Sequence, residues 1–140
     1  NEVQAAFGLL QLKNFHHYTS KRSAIVNLYR EALTGIDGIS LLPIPELTES
    51  NHAYFPIFVN KEEYGMSRDE LYEELKQNNI FGRRYFYPLI SKFPMYKGLE
   101  SASSSNLKIA ERIAEEVICL PIFSDLEPSI VGKIKRIIRK

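Results

Sequence analysis

Two arginines stand directly against a run of aromatic residues in the stretch Asn79-Ile80-Phe81-Gly82-Arg83-Arg84-Tyr85-Phe86-Tyr87-Pro88. A guanidinium is a flat, permanently charged fork that matches phosphate or carboxylate and stacks on rings. A tyrosine adds an apolar face with a hydroxyl at its tip. Arg83, Arg84, Tyr85 and Tyr87 therefore suit substrate binding, for a ligand that carries an anionic group beside a flat or sugar ring. The same residues would also serve a strand whose arginines reach past aromatic packing to water, and local chemistry alone leaves both readings open. On a strand, neighbours face opposite sides, so parity decides which arginine turns toward a pocket.

Other reactive side chains point to ordinary roles. His16 and His17 are adjacent, whereas metal ligands on a helix need the same face, three or four residues apart. They are expected to form a partly exposed pair at a helix bend, and no metal site is expected. Cys119, the single cysteine, lies in the apolar run Val117-Ile118-Cys119-Leu120 and is expected to be buried and inert. Lys133, Lys135, Arg136, Arg139 and Lys140 alternate with isoleucines, which is the wet side of an amphipathic helix rather than a nucleic-acid patch. A Gly-rich phosphate loop, a CxxC pair and a lysine in Schiff-base context are all missing, so no catalytic residue is named.

The elements that must position the segment follow from periodicity. Glu2 to Leu33 carries apolar residues at helical spacing, with poor helix formers from Asn14 to Ser20 that predict a bend or break. No N-cap precedes this helix, and the chain is read as part of a longer one. Gly35 ends it, and a loop with a short extended piece at Ser40–Leu42 follows. His52 to Asn60 is a predicted strand, placed at an edge or bulge by Pro56. Ser67-Arg68-Asp69-Glu70 is a capping box that opens a helix with Leu71 and Leu75 inward.

A short strand is expected at Tyr85–Tyr87, then a loop from Lys92 to Asn106. A helix with Ile109, Ile113 and Val117 inward leads into a strand at Ile118–Leu120. A last helix begins near Pro128 and buries Ile130, Val131, Ile134, Ile137 and Ile138. The fold class is α/β: a small, largely antiparallel three-stranded sheet with helices on one face.

At 140 residues, 44% hydrophobic, 25% charged and with net charge +1, the chain is long enough for one domain with a core. It lacks the global charge that would draw in nucleic acid or a membrane surface. No apolar run approaches the roughly 20 residues of a membrane span. One thiol and no signal-like start fit a cytoplasmic protein.

Several motifs, taken in order, resemble a known family. Glu2-Val3-Gln4-Ala5-Ala6 with Gly8, Gln11 and Leu12 is similar to the E-x-Q-A-A-x-G-x-x-Q-L helix of the DegT/DnrJ/StrS sugar aminotransferases. Arg22 and Tyr29 match that family's R-x6-Y spacing. Asn79 to Ser91 resembles its G-I-x-x-x-x-H-Y-x-P-L-H segment, with Asn79, Tyr85, Phe86 and Ile90 departing from the commoner residues. Phe93-Pro94-Met95-Tyr96 is similar to the following P-x-Y, and Ala110 to Leu120 with Pro121 to a stretch that runs from an alanine to Leu-Pro ahead of the final helix. The Arg-Arg-Tyr-Phe-Tyr-Pro version resembles the branch acting at C4 of dTDP-4-keto-6-deoxyglucose.

The resemblance implies the small domain of an aspartate-aminotransferase-type fold over residues 1–140, with residues 1–34 joining a large domain. It implies pyridoxal phosphate in the full-length enzyme, with none expected on this chain alone. It also implies a homodimer acting on a nucleotide sugar in deoxysugar and polysaccharide biosynthesis, with glutamate as amino donor. A sugar dehydratase of the same family and a non-catalytic module for a phosphorylated ligand are the alternatives.

Overall fold

The computed structural model describes residues 1–45 and 47–139. Lys140, at the end of the basic run, lies outside the described residues. A 32-residue helix, α1 (Glu2–Leu33), comes first. Asn1 is its N-cap, which the sequence pattern did not predict: the Asn1 side chain accepts from the Gln4 amide, and the Gln4 side chain accepts from the Asn1 amine, both at 3.0 Å. The predicted bend does not interrupt the helix. Asn14 and Thr19 donate their side-chain hydrogens to the carbonyls of Leu10 and Phe15, at 3.0 and 2.9 Å, so these poor helix formers bond back along the turn that they were expected to break. Gly35, at φ +77°, turns the chain away after the helix, as expected.

Strands β1 (Ile39–Leu41), β2 (Phe55–Val59) and β3 (Val117–Leu120) form one antiparallel sheet in the order β1-β2-β3. Pro56 therefore sits in the central strand, not at an edge. It pairs with Cys119, whose backbone N–H and C=O both bond to Arg83, at 2.7 and 2.9 Å. Cys119 thus turns its backbone groups away from β2, and the face of Pro56 that lacks an N–H points toward β1. There β1 has already ended, at Leu41 opposite Ile57. A proline is tolerated in the middle of the sheet because no partner waits for its missing hydrogen.

The expected strand at Tyr85–Tyr87 is absent. Arg83 alone makes a bridge to β3, after which Tyr85 and Phe86 form a turn with cis peptide bonds at Tyr85–Phe86 and Tyr87–Pro88. Bulky rings compressed into a turn cannot alternate across a sheet, and the third strand is supplied by Ile39–Leu41 instead.

Between β2 and β3 lie α2 (Lys61–Tyr64), α3 (Arg68–Gln77) and α4 (Lys108–Glu116), and α5 (Pro128–Ile138) ends the fold. Ser67 caps α3 through the predicted box, with the Glu70 carboxylate accepting from the Ser67 amide at 2.8 Å. The core joins Ile25, Tyr29 and Leu33 of α1, the inward residues Phe55, Ile57, Val59 and Ile118 of the sheet, Leu71 and Leu75 of α3, and Val131, Ile134 and Ile138 of α5. The α4 expectation fails in part. Ile109 is 73% exposed, and Ala114 is the residue that α4 buries. The first half of α1 also stands clear of the core, with Val3, Phe7, Leu9, Leu10 and Leu12 exposed.

Candidate functional site

The segment 83–87 lies along the free side of β3, held by the paired backbone bonds between Arg83 and Cys119. Gly82 allows this approach, since a Cβ there would meet Ile118 Cδ1 at 2.9 Å and the Cys119 carbonyl at 3.2 Å. The four residues singled out in the sequence then separate into two pairs.

Arg83 and Tyr85 face a cavity of about 310 Å³, walled by Tyr54, Phe81, Pro121 and Phe123, with Cys119 and Leu120 also lining it. Arg83 Nη1 donates to the Tyr85 hydroxyl at 2.7 Å. That bond, with the partial charge of the phenol, pushes the Arg83 guanidinium further above its ordinary value. Tyr85 in turn meets the Tyr54 ring edge-on, 5.1 Å between centres. Burial pushes the Cys119 thiol up while Arg83 pulls it the other way, so the thiol stays protonated and acts as wall rather than nucleophile. The result is an exposed cation tied to Tyr85 in an open cleft of aromatic faces, able to bind an anionic group while a ring rests on the wall.

Arg84 and Tyr87 turn to the other side. Arg84 Nη1 bonds to Asp69 Oδ1 at 2.9 Å, and its guanidinium carbon lies 4.6 Å from the centre of Tyr72 and 4.8 Å from that of Tyr87. Arg68, 2% exposed, donates from Nη1 to the Val117 carbonyl at 2.8 Å and lies 5.0 Å from the Tyr87 centre. Its Nε is 2.8 Å from Asp69 Oδ1 without the alignment of a hydrogen bond, so that contact is an ion pair. Strand parity does not apply to a segment with a single bridge; the bridge at Arg83 and the turn after it leave Arg83 facing the cavity and Arg84 facing α3.

Tyr54 and Arg68 were not among the predicted site residues. Tyr54 sits in the aromatic stretch ahead of β2 and was legible only as strand. Arg68 reads in the sequence as the first residue of a capped helix, and nothing local marks it as buried. Tyr29 of the R-x6-Y pair is structural: it is fully buried, stacked on Phe55 at 4.8 Å and donating to the Pro121 carbonyl at 2.9 Å. Arg22 donates from Nε to the Asn51 carbonyl at 2.9 Å.

The profile of the DegT/DnrJ/EryC1/StrS aminotransferase family matches residues 1–139. The chain is 51% identical over 138 residues to a dTDP-4-amino-4,6-dideoxy-D-glucose transaminase of Escherichia coli, covering 99% of this chain and 37% of that protein. It is 41% identical to the enzyme of the same name from Shigella dysenteriae, covering 100% and 37%. Its fold matches a crystal structure of DesI obtained in the presence of its TDP-sugar product, with a TM-score of 0.85 at 25% identity, over 96% of this chain and 34% of that one. The chain thus spans little more than a third of the length of these relatives.

Proposed function

The chain belongs to the DegT/DnrJ/EryC1/StrS aminotransferase family, and from that premise we propose that it is the C-terminal small domain of an enzyme that aminates a dTDP-linked 4-keto-6-deoxy sugar. The names of its relatives favour transamination over dehydration. Arg83 receives a phosphate or carboxylate of the ligand, and Tyr85 contacts the sugar or phosphate. Arg84 and Tyr87 complete the same segment from its other side. The observation that carries this reading is the guanidinium–phenol pair set at 2.7 Å on the wall of an aromatic cavity.

The family is pyridoxal phosphate-dependent. Among the described residues no lysine lines the Arg83 cavity, so these residues do not by themselves fit an aldehyde cofactor. The cavity orients the substrate, and the electron-sink chemistry comes from the cofactor held by the rest of the enzyme. The exposed apolar residues of α1 belong against a large domain, and a second subunit completes a homodimer. Glutamate serves as amino donor in the cytoplasm, for deoxysugar and polysaccharide building. No described helix is long and apolar enough to cross a membrane.

Replacing Arg83 by alanine in the intact enzyme removes one charge-assisted contact, so KM for the dTDP-keto sugar should rise about 10- to 100-fold. Steady-state kinetics with that sugar and glutamate measure it, and an unchanged KM would refute the reading.

A further inference from the structure

We infer that Asp69 is a positioning residue for the Arg83–Tyr85 cavity, gathering Arg68 and Arg84 around Tyr87 and so fixing the segment from behind. The inference rests on the proposed role of that cavity. One carboxylate oxygen, Asp69 Oδ1, stands 2.8 Å from Arg68 Nε and 2.9 Å from Arg84 Nη1. The two cations differ in kind. Arg68 is an immobile post, buried and bonded to the Val117 carbonyl of β3. Arg84 belongs to the segment itself, and its side chain is 32% exposed.

Asp69 therefore links a fixed point of the sheet to the residue that follows Arg83. Tyr87 closes the unit, with both guanidinium carbons within 5.0 Å of its ring centre. Two like charges this close need a counter-charge, and among the described residues Asp69 is the carboxylate that touches both. Aromatic faces ease the rest. An isolated surface ion pair would contribute little, but this one has a buried partner and a shared acceptor. Without the carboxylate the two arginines repel, Arg84 leaves the α3 face, and the turn that carries Tyr85 loses its support.

The test uses the full-length enzyme with Asp69→Asn, Arg84→Gln and the double variant. Each single change should raise KM for the dTDP-keto sugar about three- to tenfold with kcat little altered, and the double change should do no more than the larger single one. Asp69→Glu should recover part of the loss. Amide hydrogen exchange over residues 83–90 should quicken in both single variants while α5 keeps its protection. Effects that multiply in the double variant would make Arg84 a direct ligand contact and overturn the inference. Unchanged exchange over 83–90 would overturn it as well. If Asp69→Asn does not fold, Arg84→Gln leaves the Arg68–Asp69 pair intact, and its exchange pattern decides alone. The Arg83→Ala variant separates the two readings: unchanged KM there, with faster exchange in Asp69→Asn, would remove the cavity's role and leave the clamp standing.

Discussion

The phenol of Tyr29 shows how far a single residue can be understood from its surroundings. Its hydroxyl donates to the Pro121 carbonyl, and its ring lies on Phe55. Tyr29→Phe keeps the ring and deletes the bond, leaving a part-buried carbonyl short of a donor, so it should lower unfolding stability by about 1 kcal/mol in urea titrations. In the sequence Tyr29 was visible as a spaced motif, but motif spacing does not separate a ligand contact from a packing residue. The reverse holds for Arg83 and Arg84. Their type announced a site, yet only the backbone bridge to Cys119 determines which one faces it. Arg68 was illegible altogether, because its burial comes from β3 and Tyr87, which lie far away along the chain.

Among the elements, helices were the most legible, since their signals are local. The Ser67–Glu70 box is the clearest case: Ser67→Ala should cost about 1 kcal/mol of stability by removing the cap. Hydrogen bonds from the Ser67 hydroxyl and then from its backbone hold the Glu70 carboxyl below its usual range, so the same variant should let Glu70 titrate at higher pH, as NMR would record. Helices α4 and α5 make a contrast that periodicity alone cannot. Both carry isoleucines at helical spacing, but Ile134 is fully buried while Ile109 is largely exposed. Ile134→Ala should therefore cost about 2–5 kcal/mol, and Ile109→Ala less than about 0.5 kcal/mol, in chemical denaturation of this chain. Strands were read less well because their partners are non-local. The missing N–H of Pro56 predicts an edge or a bulge, and only the register with Cys119 and the early end of β1 show why it stands in the centre.

For the whole molecule, stability has a sign at each end of the pH scale. Burial pushes the Tyr29 and Tyr64 phenols above their ordinary value near 10.0. A raised folded-state pKa means that the folded chain holds its proton after the unfolded chain has released it. That stabilisation is complete below about pH 10 and is lost as pH rises beyond it. The Glu70 and Glu111 carboxyls are held low, Glu111 by Lys92 and then Ser104. Their contribution is present above about pH 4.5 and fades as pH falls through their lowered values. Burial, then Arg22 and Arg30, hold His52 below its ordinary value near 6.5, so its contribution fades as pH falls below about 6.5, and the raised Cys119 thiol adds a loss above about pH 9. Thermal midpoints should thus be flat only between about pH 6.5 and 9 and decline on both sides, and Tyr29→Phe should soften the alkaline decline.

The sheet has a further bearing on how this chain would behave at high concentration. Its outer rim on one side is the three residues of β1, and on the other side β3 is met by a lone arginine followed by a knot of rings. Neither rim offers a long row of free amides and carbonyls, so a foreign strand finds almost no template there. If the isolated polypeptide clumps, it should do so through the greasy projecting shaft of α1. The clumps would then keep a helical infrared amide band and fail to bind fibril-staining dyes.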